Sequence, residues 1–356
     1  MSTARALVAA IALVLGLLGS EALVRAVAPQ FVFGPLGDSV DGVTVLKPGL
    51  HARMSAPGEF DVRVTTNAHR LRARREYSEW PSDDTLRIVA LGDSFTFGWG
   101  ADDEETYPAR LEAWLGTHTR QRVDVVNAGV PDTGPGEQVL WYEMGPGLLH
   151  PDLVVLGVTY TDPADEAERH LFVPHGAAVE PRPLAERRRD VDAVREVVHA
   201  IPGFGLLASR SHALNLVRKI TTRAMRQRSG SPRPPDGSDA ALAMLDVVRA
   251  EIAWFSRRLA ARGVALVVAF LPERERVTRG AASPPPWTDA LVASLRAECT
   301  RRGIPFVDAT ETMRGRAAGG AALFFPHDPH PNPAGYDALA TDIGTFLIAN
   351  ALVTRK

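Results

Sequence analysis

The sequence has one cysteine, Cys299, so no disulfide bond forms within the chain. This residue lies in a segment, residues 288–302, whose apolar spacing predicts an amphipathic helix. A lone cysteine on such a helix is usually a small buried apolar residue, and we expect no catalytic thiol here.

The chain also lacks an excess of either charge, because Lys and Arg total 40, Asp and Glu total 42, and the net charge is −2. Proteins that bind nucleic acid usually carry a basic surface, so we expect no nucleic-acid partner. With 45% hydrophobic and 23% charged residues, the chain has enough apolar material for one large domain or for one domain with an insertion.

The N-terminus has Arg5 followed by an unbroken apolar run from Ala6 to Gly19. A basic residue before such a run is typical of an export signal. Continued through Val27, the run is long enough to cross a membrane if Glu21 and Arg25 lie at the outer interface.

Two fates remain open for this segment. Residues 26–28 form a small-x-small cleavage site, but Pro29 directly after it should hinder the peptidase. We therefore expect an uncleaved single-pass anchor with the rest of the chain outside the cytoplasm, whereas cleavage would give a secreted protein. No cysteine follows the apolar run, which excludes a bacterial lipoprotein anchor.

Farther along the chain, compact apolar runs alternate with helical segments. The runs cover residues 86–91, 123–126, 153–158, 264–270 and 306–307. Short buried strands that alternate with helices indicate a parallel sheet covered on both faces. The pattern predicts the α/β class, a three-layer α/β/α sandwich with about five parallel strands.

The sequence divides into three parts. Residues 1–28 are the anchor or signal peptide, residues 29–84 are an extension with short β-strands, and residues 85–350 are the main domain. The strand pattern lapses between residues 165 and 238. We interpret this stretch as an insertion, with a helix near residues 186–200 and a polar loop near residues 226–239.

A serine, Ser94, follows the first strand of the main domain within Gly92-Asp93-Ser94. Open α/β sheets bind their ligands at the carboxyl ends of the strands. Gly92 permits a tight turn there, and nearby amides can face an oxyanion. A second Gly-Asp-Ser at residues 37–39 has no apolar strand before it, and we interpret it as a coincidence. The G-x-S-x-G elbow of α/β-hydrolases is absent from the sequence.

A base for this serine is available near the other end of the chain, where His330 precedes the last predicted helix, which Asn332 and Pro333 begin. Prolines favour extended backbone around Asp328 and His330, so their side chains should project to one side. Asp328 could then hold the imidazole of His330. The alternative is that His327 and His330 bind a metal, but their spacing is not that of a helical metal motif.

Three segments are similar, in order and position, to sequence blocks of the SGNH/GDSL hydrolases. They are Gly92-Asp93-Ser94, Gly129 within residues 127–131, and the segment from Asp328 to Asn332. The resemblance extends over residues 86–350, and the flanking sequence resembles a bacterial subgroup with an N-terminal membrane anchor.

The resemblance implies Ser94 as nucleophile, His330 as base and Asp328 as its partner. It also implies an oxyanion hole formed by the Ser94 amide, the Gly129 amide and the side chain at position 161. The family has asparagine there, and this chain has Thr161, whose shorter side chain should weaken the hole.

The implied activity is cleavage of an acyl ester, acetyl in the first instance, on a carbohydrate outside the cytoplasm, through an acyl-enzyme and without a metal or cofactor. Three alternatives stay open: an O-acyltransferase that modifies an extracytoplasmic glycan, a lipid esterase, and a non-catalytic glycan-binding or assembly protein.

Overall fold

The N-terminal helix is exposed along most of its length and contacts the rest of the structure near its C-terminal end. The computed structural model describes residues 3–169, 171–175, 178–187, 197–198, 200–228, 238–278 and 286–354. Helix α1, Thr3–Val27, has no buried residue, and among the described residues it is the one helix long and apolar enough to cross a membrane. A signal sequence near the N-terminus has the same properties.

The expected β extension follows this helix. Strands β1 (Val32–Phe33), β4 (His51–Ala56) and β5 (Phe60–Thr65) form an antiparallel sheet in the order β1-β4-β5. Strands β2 (Gly37–Val40) and β3 (Val43–Leu46) form a separate hairpin. The second Gly-Asp-Ser lies in β2, where Asp38 Oδ2 accepts a hydrogen bond from Arg70 at 2.8 Å.

The predicted parallel sheet is confirmed, with five strands in the order β12-β11-β8-β6-β7. The strands are β6 (Thr85–Leu91), β7 (Arg122–Asn127), β8 (Leu153–Val158), β11 (Ala265–Phe270) and β12 (Phe306–Asp308). Each begins and ends within two residues of its apolar run, because burial on both faces gives these strands nearly continuous hydrophobic sequence.

Helices cover both faces of this sheet. Their bounds are α2 Ser94–Phe97, α3 Tyr107–His118, α4 Pro135–Met144, α5 Asp162–Arg169, α6 Leu184–Arg187, α7 Phe204–Ala208, α8 His212–Arg228, α9 Asp239–Leu242, α10 Leu245–Ala260, α11 Arg274–Val277, α12 Pro286–Arg302, α13 Thr310–Ala318 and α14 Pro333–Ala349. Asn332 caps α14 as expected, since its Oδ1 accepts from the Gly335 amide at 3.0 Å.

The core has two halves, one on each face of the sheet. In β6, Ile88 and Ala90 pack toward α3 and α14, whereas Val89 and Leu91 pack toward α4, α10 and α12. This alternation is the two-residue period of a strand. Cys299 belongs to the second half and is fully buried, so the expected structural role is confirmed.

The stretch at residues 165–238 contains more regular structure than its sequence indicates. Strands β9 (Phe172–His175) and β10 (Ala178–Pro181) form an antiparallel hairpin that the sequence pattern did not predict. Helix α8 continues to Arg228, beyond the point where a polar loop was expected to begin. The helix expected near residues 186–200 lies mostly outside the described residues.

Candidate active site

Ser94 is the first residue of α2, just beyond the carboxyl end of β6, an interior strand of the sheet. Asp93 caps this helix, because its carboxylate accepts a hydrogen bond from the Phe95 amide at 2.9 Å. Gly92 has a φ of 155°, and a Cβ there would lie 2.1 Å from Thr96 Oγ1 and 3.0 Å from the Gly157 carbonyl oxygen. Glycine is therefore needed for the turn that presents Ser94 at the sheet edge.

His330 contacts both predicted partners. Its Nε2 lies 2.7 Å from Ser94 Oγ, and its Nδ1 lies 2.6 Å from Asp328 Oδ1. The His330 amide also donates to Asp328 Oδ1 at 3.0 Å. Residues 326–330 form a bend instead of the extended segment expected from the two prolines, because the His330 amide turns back to the Asp328 carboxylate. This bend places carboxylate, imidazole and hydroxyl in a continuous row.

The charge of Asp328 is stabilised by this arrangement. Burial opposes ionisation, but the hydrogen bonds from the ring and amide of His330, the attraction to the imidazole when it is protonated and the nearby Trp99 indole outweigh it. The pKa of the Asp328 carboxyl is therefore lowered below its ordinary value. An ionised carboxylate at Nδ1 favours the tautomer in which Nε2 can accept the proton of Ser94.

Two aromatic rings hold the imidazole of His330 in place. The ring centroid of Phe95 lies 5.0 Å from that of His330, and the ring centroid of Trp99 lies 5.6 Å away. The Trp99 indole also helps to lower the pKa of the Asp328 carboxyl, and the Trp99 carbonyl accepts from the Tyr336 hydroxyl at 2.9 Å. The sequence indicates only that Trp99 is near the Gly92-Asp93-Ser94 motif. No local feature predicts its contact with His330, which is distant in the chain.

The Gly129 amide, expected as an oxyanion donor, already has an acceptor. It donates to Asn127 Oδ1 at 3.1 Å. A Cβ on Gly129 would lie 2.2 Å from the Phe97 amide nitrogen, so the backbone at position 129 packs directly against α2. The Gly129 amide can serve an oxyanion only by sharing its hydrogen with Asn127 or by releasing it.

Thr161 lies beside Asp93. Its Oγ1 donates to Asp93 Oδ2 at 3.3 Å and lies 3.1 Å from Thr159 Oγ1. Thr159 Oγ1 donates to the same Asp93 oxygen at 2.7 Å. The hydroxyl at position 161 therefore supports the carboxylate that caps α2, a role that the sequence did not reveal.

Buried carboxyl groups continue away from Ser94 on this side of the sheet. Burial raises the pKa of Asp93, and burial together with the charge of Asp93 raises the pKa of Asp162 well above its ordinary value. Farther on, Glu166 and Glu251 are fully buried side by side, and burial raises the pKa of both. The sequence does not predict that these carboxyl groups lie together, because they come from three separate segments of the chain.

The two histidines considered as metal ligands have different surroundings. Both ring nitrogens of His330 contact Ser94 or Asp328, whereas His327 is exposed and its amide donates to Glu59 Oε1 at 3.0 Å. Within the described part of the chain, no group of three or more His, Cys, Asp or Glu side chains is arranged to hold a metal ion.

A serine at the carboxyl edge of a parallel sheet, next to a histidine and a carboxylate, defines a hydrolase class of site on an α/β/α fold. Residues 90–338 match the family model described as the GDSL-like lipase/acylhydrolase family. The chain belongs to this family, and the protein is an ester-hydrolysing enzyme.

The solved structures that match this chain have little sequence in common with it. A lipase/acylhydrolase from Enterococcus faecalis is 14% identical, with a TM-score of 0.43, 76% of this chain covered and 97% of that one. A catalytic mutant of an acetylxylan esterase from Geobacillus stearothermophilus is 13% identical, with a TM-score of 0.43 and coverages of 76% and 96%. A G-D-S-L family lipolytic protein from Veillonella parvula is 12% identical, with a TM-score of 0.39 and coverages of 72% and 95%. A comparison with curated proteins gives no match.

Proposed function

We propose that the protein is a membrane-anchored serine esterase that removes acyl groups, acetyl in the first instance, from a carbohydrate outside the cytoplasm. The observation that carries the catalytic part is the row of contacts from Ser94 Oγ to His330 Nε2 at 2.7 Å and from His330 Nδ1 to Asp328 Oδ1 at 2.6 Å. These are hydrogen-bond distances suited to proton transfer.

Ser94 is the nucleophile of this reaction and His330 is its base. Ser94 Oγ attacks the ester carbonyl carbon while its proton moves to His330 Nε2. The imidazolium, stabilised by Asp328, then protonates the leaving alkoxide as the ester C–O bond breaks, which leaves an acyl group on Ser94. A water molecule activated by His330 attacks this acyl group and releases the carboxylic acid and free Ser94.

The negative oxygen of the tetrahedral intermediate needs hydrogen-bond donors. The Ser94 amide is the first N–H of α2 and has no preceding helical turn to bond it, so it is the main donor. The Gly129 amide is the second donor, shared with Asn127. Thr161 contributes a third bond only when its hydroxyl turns away from Asp93.

The substrate class is supported by the aromatic surroundings of the site. Trp99 is half-buried beside His330, and the half-buried rings of Tyr160 and Trp287 have centroids 6.3 Å apart on the other side of Phe95. Such rings combine an apolar face with a polar tip, which suits ligands of mixed polarity such as sugars. A sugar ester is thus a better match than a fully apolar one.

Helix α1 supports the proposed location. It is apolar throughout its first part, and Arg5 lies near its start, which favours a cytoplasmic N-terminus. A C-terminal fusion to alkaline phosphatase, which is active only outside the cytoplasm, tests this orientation. An inactive fusion of normal abundance contradicts the proposal.

A fluorophosphonate probe tests the nucleophile. We expect the probe to label the wild-type protein and not Ser94→Ala. The second Gly-Asp-Ser provides a matched control, since Ser39 lies in hairpin strand β2 and Ser39→Ala should label normally. Labelling that survives in Ser94→Ala contradicts the assigned nucleophile.

Incubation with an acetylated glycan and a fresh sugar acceptor tests the reaction. Release of free acetate supports an esterase, and acetyl found on the acceptor identifies an O-acyltransferase instead. A preference for long-chain over acetyl p-nitrophenyl esters identifies a lipid esterase and contradicts the substrate proposed here.

A further inference from the structure

Exposed apolar side chains are concentrated next to helix α1. Outside α1, the large exposed apolar residues of the described chain fall between residues 184 and 220, apart from Trp80 and Leu148. Those on and before helices α7 and α8 are Ile201, Leu206, Leu207, Val217 and Ile220, each 53–60% exposed. Val217 and Ile220 are one helical turn apart, so they share one face of α8.

The start of α8 is hydrogen-bonded to helix α1. Glu21 of α1 accepts hydrogen bonds from Ser211 Oγ at 2.7 Å and from the amides of His212 and Ala213 at 3.0 Å each. Arg25, one turn farther along α1, donates to the Arg210 carbonyl at 3.1 Å. These contacts fix the helical hairpin α7–α8 to the last two turns of α1.

The position of Glu21 defines the level of this hairpin relative to a bilayer. At 1.5 Å per residue, the rise from Arg5 to Glu21 is roughly 24 Å. That length is close to the hydrocarbon thickness of a membrane, about 30 Å, because the long Arg5 side chain can extend to the headgroups. Glu21 is the first acidic residue of the chain, so it marks the level at which α1 leaves the apolar layer. The first turn of α8 lies at that same level, among the lipid headgroups.

The positive charge of α8 also suits contact with the lipid headgroups. Its sequence has four arginines, one lysine and no acidic residue between His212 and Arg228. Exposed apolar side chains combined with basic residues are typical of helices that lie in the membrane interface, where anionic headgroups attract the basic residues.

We propose that hairpin α7–α8 (residues 204–228, with Ile201 before it) lies on the outer surface of the bilayer, and that its exposed apolar side chains enter the interface beside α1. This inference rests on the proposed membrane anchoring. The hairpin also contacts the aromatic residues near the site, because Arg218 donates to the Phe33 carbonyl at 3.0 Å and the Phe33 ring centroid lies 6.1 Å from that of Trp99. Docking of the hairpin therefore holds the catalytic edge at a set distance from the membrane.

Site-specific fluorescence of the full-length protein in lipid nanodiscs tests the proposal. The nanodiscs contain phosphatidylcholine and phosphatidylglycerol, with or without brominated acyl chains. An environment-sensitive fluorophore is placed on Leu207→Cys and on Ile220→Cys, while Cys299 stays unlabelled because it is fully buried. Leu148→Cys is the matched control. Leu148 is 61% exposed in the turn that precedes β8, which lies at the amino ends of the parallel strands, whereas Ser94 lies at their carboxyl ends. Leu13→Cys reports on α1 itself.

We expect blue-shifted emission and quenching by brominated lipid at positions 207 and 220, and neither effect at position 148. Aqueous emission at 207 and 220, with quenching at 13, overturns docking and leaves the anchor intact. Absence of quenching at position 13 contradicts the anchor as well. Blue-shifted emission at 207 and 220 that brominated lipid does not quench indicates a protein partner instead of the bilayer. Fluorophosphonate labelling of each variant reports separately on the catalytic proposal.

Discussion

Replacing Asp328 by asparagine removes the negative charge next to His330 Nδ1 and leaves the side-chain volume almost unchanged. The carboxylate accepts two hydrogen bonds, from the His330 amide and the His330 ring. The asparagine side chain has one oxygen and one NH2 group. If the NH2 group faces His330 Nδ1, that nitrogen must accept, so Nε2 carries the proton and cannot take the one on Ser94. If the oxygen faces Nδ1, the tautomer is kept, but the negative charge that stabilises the imidazolium is lost.

The size of the effect follows from the two functions lost. A wrong tautomer and an unstabilised imidazolium together cost roughly 10⁴-fold in kcat in comparable triads, which corresponds to about 5.5 kcal/mol of transition-state stabilisation. We expect a loss of this order for Asp328→Asn in p-nitrophenyl acetate hydrolysis, with KM changed by less than about threefold.

Two measurements make the result interpretable. The melting temperature should stay close to that of the wild type, which separates loss of function from loss of fold. The matched control is His327→Gln, which changes an exposed neighbour and should retain full activity. A well-folded Asp328→Asn enzyme that loses less than about tenfold in kcat would refute the reasoning that this carboxylate sets the state of His330.

Three further outcomes are expected. Trp99→Phe keeps a ring beside His330 but removes the indole N–H that helps to lower the pKa of Asp328, and kcat should fall by up to roughly tenfold, the value of one hydrogen bond to a charged group; unchanged kcat excludes that role. Burial raises the pKa of Glu251 beside Glu166, so the native protein retains protons that the unfolded chain releases above pH 4.5, and stability should fall as pH rises. Glu251→Gln should flatten that fall in thermal melts between pH 5 and pH 9, and an unchanged slope contradicts it. Gly129→Ala should destabilise the protein by about 1–3 kcal/mol in urea unfolding and displace α2, because its Cβ lies 2.2 Å from a backbone nitrogen of that helix; wild-type stability disproves the close contact.

The main sheet could be read from the sequence because its strands are buried on both faces. Continuous apolar runs at residues 86–91 and 153–158 leave little choice of structure, and the structure agrees. The hairpin of β9 and β10 was missed because its strands are four residues long and include Pro174 and Pro181, which weaken a strand signal.

Local chemistry also determined which residues are candidates for catalysis. Ser94 follows a strand and a glycine, and the prolines on either side of His330 restrict the backbone of that segment. The segment nevertheless bends at residues 326–330, where the sequence predicts extended chain, because the His330 amide donates to the Asp328 carboxylate. The contact between Ser94 and His330, however, spans 236 positions in the chain, and only the packing of α14 against the sheet brings it about.

The remaining features depend on the tertiary structure alone. The ring contact between Trp99 and His330, the hydrogen bond between Gly129 and Asn127, and the attachment of α8 to Glu21 involve ordinary residues with no local signature. A periodic sequence pattern indicates which face of a helix or strand is buried. It does not indicate which polar atoms form hydrogen bonds, because these partners depend on how whole helices and strands are placed relative to one another. That placement is determined by the packing of the complete core.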